Sequence, residues 1–188
     1  MTTEQQLKIC RLMFGRLKKA HGVFYWTQDK RLINIVEASV IYTPTSVNRT
    51  KQKNDIVFKK DFLLVRRELP TGLNYTTWKT SYAIDMYSMT GKYLARLENV
   101  RYDCIKEEMQ EVHLENGIVL IHNIIINTEK QNKRIFVYNK KLDSIVQIIR
   151  NVESFVDCND HVCLSFIKND TQGKPWIKKY KLYKEQKW

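Results

Sequence analysis

The sequence is poor in the residues that break a chain into pieces, with 6 glycines and 3 prolines among its 188 residues. Long linkers are therefore not expected, and the chain reads as one domain or one domain with appendages. No run approaches the roughly 18–20 apolar residues that a membrane-spanning helix needs, so a membrane is not expected among its partners. Residues 1–20 lack the apolar core of a secretory leader. Cysteine is also scarce: Cys10, Cys104, Cys158 and Cys163 stand at irregular spacing. Without a leader they are expected to be reduced thiols in a cytosolic or nuclear setting. Cys158, His161 and Cys163 are neighbours in sequence, but no second ligand pair accompanies them. Buried cysteine is favoured over metal there, and no cofactor is expected. Catalytic signatures are missing as well. There is no G-x-S-x-G, P-loop or H-E-x-x-H, and the 4 histidines are scattered. Glu107, Glu108 and Glu111 read as a solvated run, and Asp85 as a turn-capping acceptor. The chain is expected not to be an enzyme.

What is present is positive charge on a chain able to build a core. Lysine and arginine total 32 against 20 acids, a net charge of +12. Such an excess attracts polyanions and favours phosphate contacts. Hydrophobic residues make up 43% of the sequence, which argues against wholesale disorder.

The spacing of Leu7, Cys10, Leu12, Met13, Phe14 and Leu17 predicts a helix over residues 3–19, ended by Gly22. Residues 22–26 and 32–42 read as strands, 45–54 as a polar, basic loop. Strands follow at 56–58 and 62–68, then a long loop over 69–79. A hairpin is expected from 81–87 and 93–97, with Gly91 supplying the positive φ of its turn. Residues 99–111 are expected to include a short helix. A second hairpin joins 118–127 to 134–139. Asp143 or Ser144 is placed to cap a helix carrying Ile145, Ile148, Ile149, Val152, Phe155 and Val156 at i, i+3, i+4, i+7 spacing. Residues 162–167 form a further strand or helix, and 175–188 a basic tail interleaved with Trp176, Tyr180, Tyr183 and Trp188.

A repeat competes with a single barrel. Residues 61–68, 117–123 and 161–169 can be lined up, each followed some way on by another strand, as in β-propeller blades, whose rhythm is roughly 45 residues. That alternative requires residues 143–152 to be a strand, and its spacing suits a helix better.

The run Ser81-Tyr82-Ala83-Ile84-Asp85-Met86-Tyr87-Ser88-Met89-Thr90-Gly91-Lys92 resembles the second-to-third strand hairpin of one OB-fold family. Its members are the middle subunit of replication protein A and the Stn-type subunit of the telomeric CST complex. Tyr82, Ile84, Asp85, Thr90 and Gly91 carry the resemblance; extra residues and a missing second Asp depart from it. Residues 111–123 look like strand four, 129–134 like the basic loop after it, and 135–138 like strand five. The overall style is similar to telomere-capping members of the terminin type. The resemblance implies a mainly β fold, a five-stranded OB barrel with an N-terminal and a C-terminal helix. Its parts are an N-terminal helix and extension (1–54), the barrel with its C-terminal helix (55–157) and a basic extension (158–188). It further implies a subunit that binds single-stranded DNA, with RNA not excluded. Such a subunit assembles with a smaller OB-fold or other protein subunit at chromosome ends in the nucleus.

On an OB barrel, cations track phosphates and aromatic rings stack on bases. The expected nucleic-acid residues are Tyr75, Trp78 and Lys79 in the first loop, then Tyr82, Lys92, Tyr93 and Arg96 on the hairpin. Lys130, Lys133 and Arg134 complete them from the second loop. Ile145, Ile148, Ile149, Val152 and Phe155 on the expected helix are the partner-binding candidates. The alternative function is a protein-interaction scaffold of the partial-propeller kind.

Overall fold

Thr2 starts the fold with a capping box. Its hydroxyl accepts from Gln5 N at 3.3 Å, and its own amide donates to Gln5 Oε1 at 2.8 Å. The helix α1 spans Thr3–Phe14 and stops at Gly15, whose φ of 81° lets its amide turn back to Arg11 O. It is shorter than the sequence suggests, because Gly15 and not Gly22 terminates it; Leu17–His21 is already a strand. Cys10 is buried in a cluster with Ile33 and Ile35, with Leu7 and Phe14 packed around it. Burial raises the Cys10 thiol pKa, as befits a small apolar core residue. A computed structural model describes residues 1–44, 55–69, 81–100, 109–115, 117–125 and 131–183.

Among the other described residues the β-structure forms four antiparallel sheets, each a meander in chain order. Sheet I holds β1 (Leu17–His21), β2 (Phe24–Thr27), β3 (Leu32–Asn34) and β4 (Ser39–Tyr42). Sheet II holds β5 (Ile56–Phe58), β6 (Phe62–Leu69), β7 (Ser81–Ser88) and β8 (Tyr93–Val100). Sheet III holds β9 (Met109–His113), β10 (Gly117–Ile125), β11 (Gln131–Asn139) and β12 (Ser144–Val152). Sheet IV has three strands, β13 (Ser154–Asp157), β14 (His161–Asn169) and β15 (Pro175–Tyr183). The chain divides into two compact units, residues 1–96 and 97–188.

Consecutive sheets pack face to face within each unit. In the first, Phe24, Leu32 and Ile41 of sheet I meet Leu63, Val65 and Tyr87 of sheet II. In the second, Val119, Ile121, Ile135 and Val137 of sheet III meet Val162, Leu164 and Leu182 of sheet IV. The central strands are buried on both faces: Ile118, Leu120 and Phe136 are as enclosed as their odd-numbered neighbours, as are Phe62, Leu64 and Met86 in sheet II. Such strands read as continuous apolar runs and not as alternation. Among the described residues no barrel closes.

The sequence repeat is realised in the strands. Residues 62–68, 117–123 and 161–169 of these segments lie in β6, β10 and β14, the second strand of sheets II, III and IV. Each is entered through the same backbone bond, at 2.8 Å in all three: Lys59 N to Phe62 O, Leu114 N to Gly117 O, and Cys158 N to His161 O. Third strands end alike too. Asn34, Ser88 and Asn139 are buried polar residues whose side chains accept from Val36 N, Lys92 N and Leu142 N in the turns that follow. A residue at positive φ precedes each fourth strand, namely Ala38, Gly91 and Asp143.

Several expectations are corrected. The helix over 143–155 is not formed: Ser144–Val152 is β12 and Ser154–Asp157 is β13. Asp143 caps no helix; at φ 48° it sits in the β11–β12 turn and accepts from Tyr138 Oη at 2.7 Å. Two register shifts explain the misleading spacing. Val137 pairs with Gln147 but Tyr138 with Ile145, so β12 carries an extra residue. A second extra residue falls between Ile149 and Val152, where Asn151 has φ 58°. Bulges of this kind break the period of two. Ile149, Val152 and Phe155 therefore enter one core at intervals of three, as they would along a helix face. Residues 32–42 form two strands, because Asn34 and Ala38 build a turn between them. Of the helix expected over 99–111, residues 101–108 lie outside the described residues, and the flanks are in β8 and β9. Residues 175–183 are no free tail but the strand β15.

Candidate interaction surfaces

The hairpin β7–β8 forms as the sequence suggests, and its turn is built locally. Ser88 N donates to Lys92 O at 2.8 Å, Gly91 N to Ser88 O at 3.0 Å, and Gly91 has φ 92°. Asp85, which the sequence suggests as a turn cap, is instead mid-strand, with 4% of its side chain exposed. Arg67 Nε donates to its Oδ2 at 2.8 Å, and Arg96 Nε to its Oδ1 at 2.7 Å. Burial alone would raise the Asp85 pKa. The hydrogen bonds and charges of Arg96 and Arg67 outweigh it and hold the carboxyl below its ordinary range. One carboxylate between two guanidiniums leaves a local excess of one positive charge.

Tyr93 is exposed and meets Tyr87 edge-on, ring centroids 5.5 Å apart. Burial and the Asp85 carboxylate raise the Tyr93 phenol, which stays protonated at neutral pH. Lys92 is exposed at the turn. Tyr82 is half-buried, with the Arg66 guanidinium 5.7 Å from its ring centre. That arginine pairs with Asp55, which also accepts from Tyr42 Oη. The hairpin thus brings Tyr93 and Arg96 together about Asp85 and presents Lys92 at its tip. Lys133 and Arg134 are half-buried in β11, paired with Val152 of β12 and His122 of β10 respectively. Tyr75, Trp78, Lys79 and Lys130 lie outside the described residues.

The five partner-binding candidates sit on strands. Val152 is fully buried, Ile149 and Phe155 are half-buried against the same core, and Ile145 is half-buried. Ile148 is exposed. Among the described residues no three His, Cys, Asp or Glu side chains group as metal ligands. Cys158 and Cys163 are free and half-buried, and His161 Nδ1 lies 2.5 Å from Asp160 Oδ1. No described helix is long and apolar enough to cross a membrane.

Sheet IV carries a set of exposed apolar residues among those described. On sheet IV, β14 pairs with β15 from His161–Tyr183 to Asn169–Pro175. One face carries Val162, Leu164 and Leu182 into the core and runs outward through Tyr180, Lys178, Lys168 and Trp176. The other face presents Val156, Ile167, Ile177 and Tyr183, of which Ile177 is 62% exposed. Lys179 and Lys181 stand on that second face, by register. The aromatic and lysine content of this stretch is visible in the sequence. Its arrangement as a sheet rests on the turn at Gly173. Its φ of 77° and the Asp170 carboxylate, accepting from Gln172 N and Lys174 N, make that turn.

Compared with known protein families, curated proteins and solved structures, the chain matches none.

Proposed function

We propose that this chain is a non-enzymatic interaction scaffold whose sheets are blades of a partial β-propeller. The observation that carries the reading is the run of consecutive meanders, sheet after sheet in chain order, with consecutive sheets stacked face to face inside each unit. Meanders of about four strands that repeat along a chain are the unit of propeller architecture. Recurrent entry bonds and recurrent buried caps at the third strands add to it. Repeat architectures of this kind display surfaces on rigid sheets, which is what a protein-binding scaffold needs.

A second reading is favoured by one specific feature. The net charge is +12, and residues 168–183 carry five lysines interleaved with Trp176, Tyr180 and Tyr183. That pattern suits a single-stranded nucleic acid, with cations on phosphates and rings on bases. A chromosome-end role belongs to this second reading, and it no longer has an OB barrel to bring its two loops together. The two readings separate in a salt series with a labelled 20-nucleotide oligothymidylate, followed by fluorescence anisotropy. The scaffold reading expects weak binding that vanishes near physiological salt. Tight binding that persists there, with a steep linear dependence of log affinity on log salt, overturns it in favour of the second.

A further inference from the structure

We infer that the free edge of β15 receives an acidic, extended segment of a partner protein as a fourth strand, an inference that rests on the scaffold reading. Among the described residues sheets I, II and III each hold four strands, and sheet IV holds three. Among the described residues β15 pairs with β14 alone. Nine residues long, β15 presents a row of outward backbone N–H and C=O groups on its other side. Such an edge is a template for strand addition, in which the ladder gives affinity and the flanking side chains give specificity.

The chemistry of the edge selects the occupant. Residues 168–183 hold Lys168, Lys174, Lys178, Lys179 and Lys181 against a single acid, Asp170. Asp170 is engaged by the turn amides of Gln172 and Lys174. Two copies of β15 laid edge to edge would set lysines beside lysines, which destabilises cross-strand pairs. A nucleic acid would satisfy the lysines yet leave the backbone edge without a ladder. An acidic strand answers both. Its carboxylates stand beside Lys179 and Lys181 on one face. Its apolar side chains lie by Trp176 and Tyr180 on the other, since successive residues alternate faces.

The test uses the full chain and a fluorescent nine-residue peptide of alternating glutamate and valine. Its twin has the same sequence with every backbone amide N-methylated, which keeps the charge and removes the donors. The peptide is expected to bind and the twin at least tenfold more weakly. Lys179→Glu with Lys181→Glu is expected to lose the glutamate peptide at least tenfold and to gain a lysine–valine counterpart, a charge swap that a misfolded variant would not produce. Equal binding of peptide and twin overturns the inference, since attraction alone then suffices. Displacement of the bound peptide by stoichiometric oligothymidylate overturns it too, as does a concentration-dependent dimer in sedimentation that the same two substitutions dissolve. Silence from every peptide, with weak oligothymidylate binding, overturns the edge assignment and leaves the scaffold reading standing. Tight oligothymidylate binding sinks the scaffold reading itself.

Discussion

The turns at Ser88–Lys92 and Asp170–Lys174 are nearly the same object in two surroundings. In each, the first residue donates its amide to the carbonyl of the fifth, at 2.8 and 2.9 Å, and a glycine in fourth place donates back at 3.0 Å. Gly91 has φ 92° and Gly173 φ 77°, and a lysine follows both. Yet Gly91 is buried: its carbonyl accepts from Asn34 Nδ2 at 2.7 Å, and a Cβ there would meet Asn34 Oδ1 at 2.8 Å and Val23 Cγ2 at 3.0 Å. Around Gly173 a Cβ would meet nothing within 4 Å. Sheet I covers the first turn and nothing described covers the second. Local chemistry therefore made both hairpins, and packing alone separates a structural joint from an available surface.

The comparison breaks most sharply at Gly91. Gly91→Ala should cost about 3 kcal/mol in urea unfolding. The left-handed backbone contributes about 1–2 kcal/mol of this, and the disturbed Asn34 hydrogen bond and crowding the rest. A loss no larger than that of Gly173→Ala would mean that the contact with Asn34 does not hold the turn.

Next comes the ion cluster beside that turn. Asp85→Ala should cost about 2 kcal/mol. This is less than the ~3–5 kcal/mol of a fully buried pair, because Arg67 and Arg96 are 29% and 41% exposed and water rescues them. Its pH dependence has a definite sign. The folded pKa of Asp85 is lowered, so its stabilisation is complete above the ordinary value of about 4 and is lost as pH falls through the folded value. Urea midpoints of the parent and Asp85→Asn should therefore differ most at pH 6 and converge by strong acid; a constant gap would contradict the pairing.

Gly173→Ala should cost about 1 kcal/mol, backbone strain alone. The smallest effect belongs to the surface. Trp176→Ser is expected to move stability by no more than about 0.5 kcal/mol, since the indole is 45% exposed. A drop above ~2 kcal/mol would make Trp176 part of the core and remove it from the candidate surface.

Much of the fold was legible locally. Gly91 marks the turn of the β7–β8 hairpin, and strands are expected at 62–68 and 118–127, where β6 and β10 form. The segment from Ile145 to Phe155 was not legible, because two bulges in β12 give strand residues a helical spacing. Its β-branched content, Ile145, Val146, Ile148, Ile149 and Val152, was the signal that favoured a strand. Of the candidate site residues, Tyr93 and Lys92 are exposed on the hairpin, whereas Arg96 is engaged by Asp85. No spacing in the sequence could reveal that pairing, since Arg67 and Asp85 are 18 residues apart and meet only through the β6–β7 register.

By itself the sequence determined the Gly91 turn, the excess of positive charge and the apolar runs of the central strands. These depend on residues within a few positions of one another: a glycine that tolerates positive φ, an Asn, Ser or Asp that accepts from the next turn's amides, an uninterrupted apolar run. Only the tertiary structure decided that the strands gather into successive meander sheets, that Asp85 is held between two arginines, and that among the described residues β15 ends sheet IV paired on one side alone. Those outcomes depend on which faces are covered. Coverage is set by cross-strand register and by stacking between sheets, which join residues far apart in the chain.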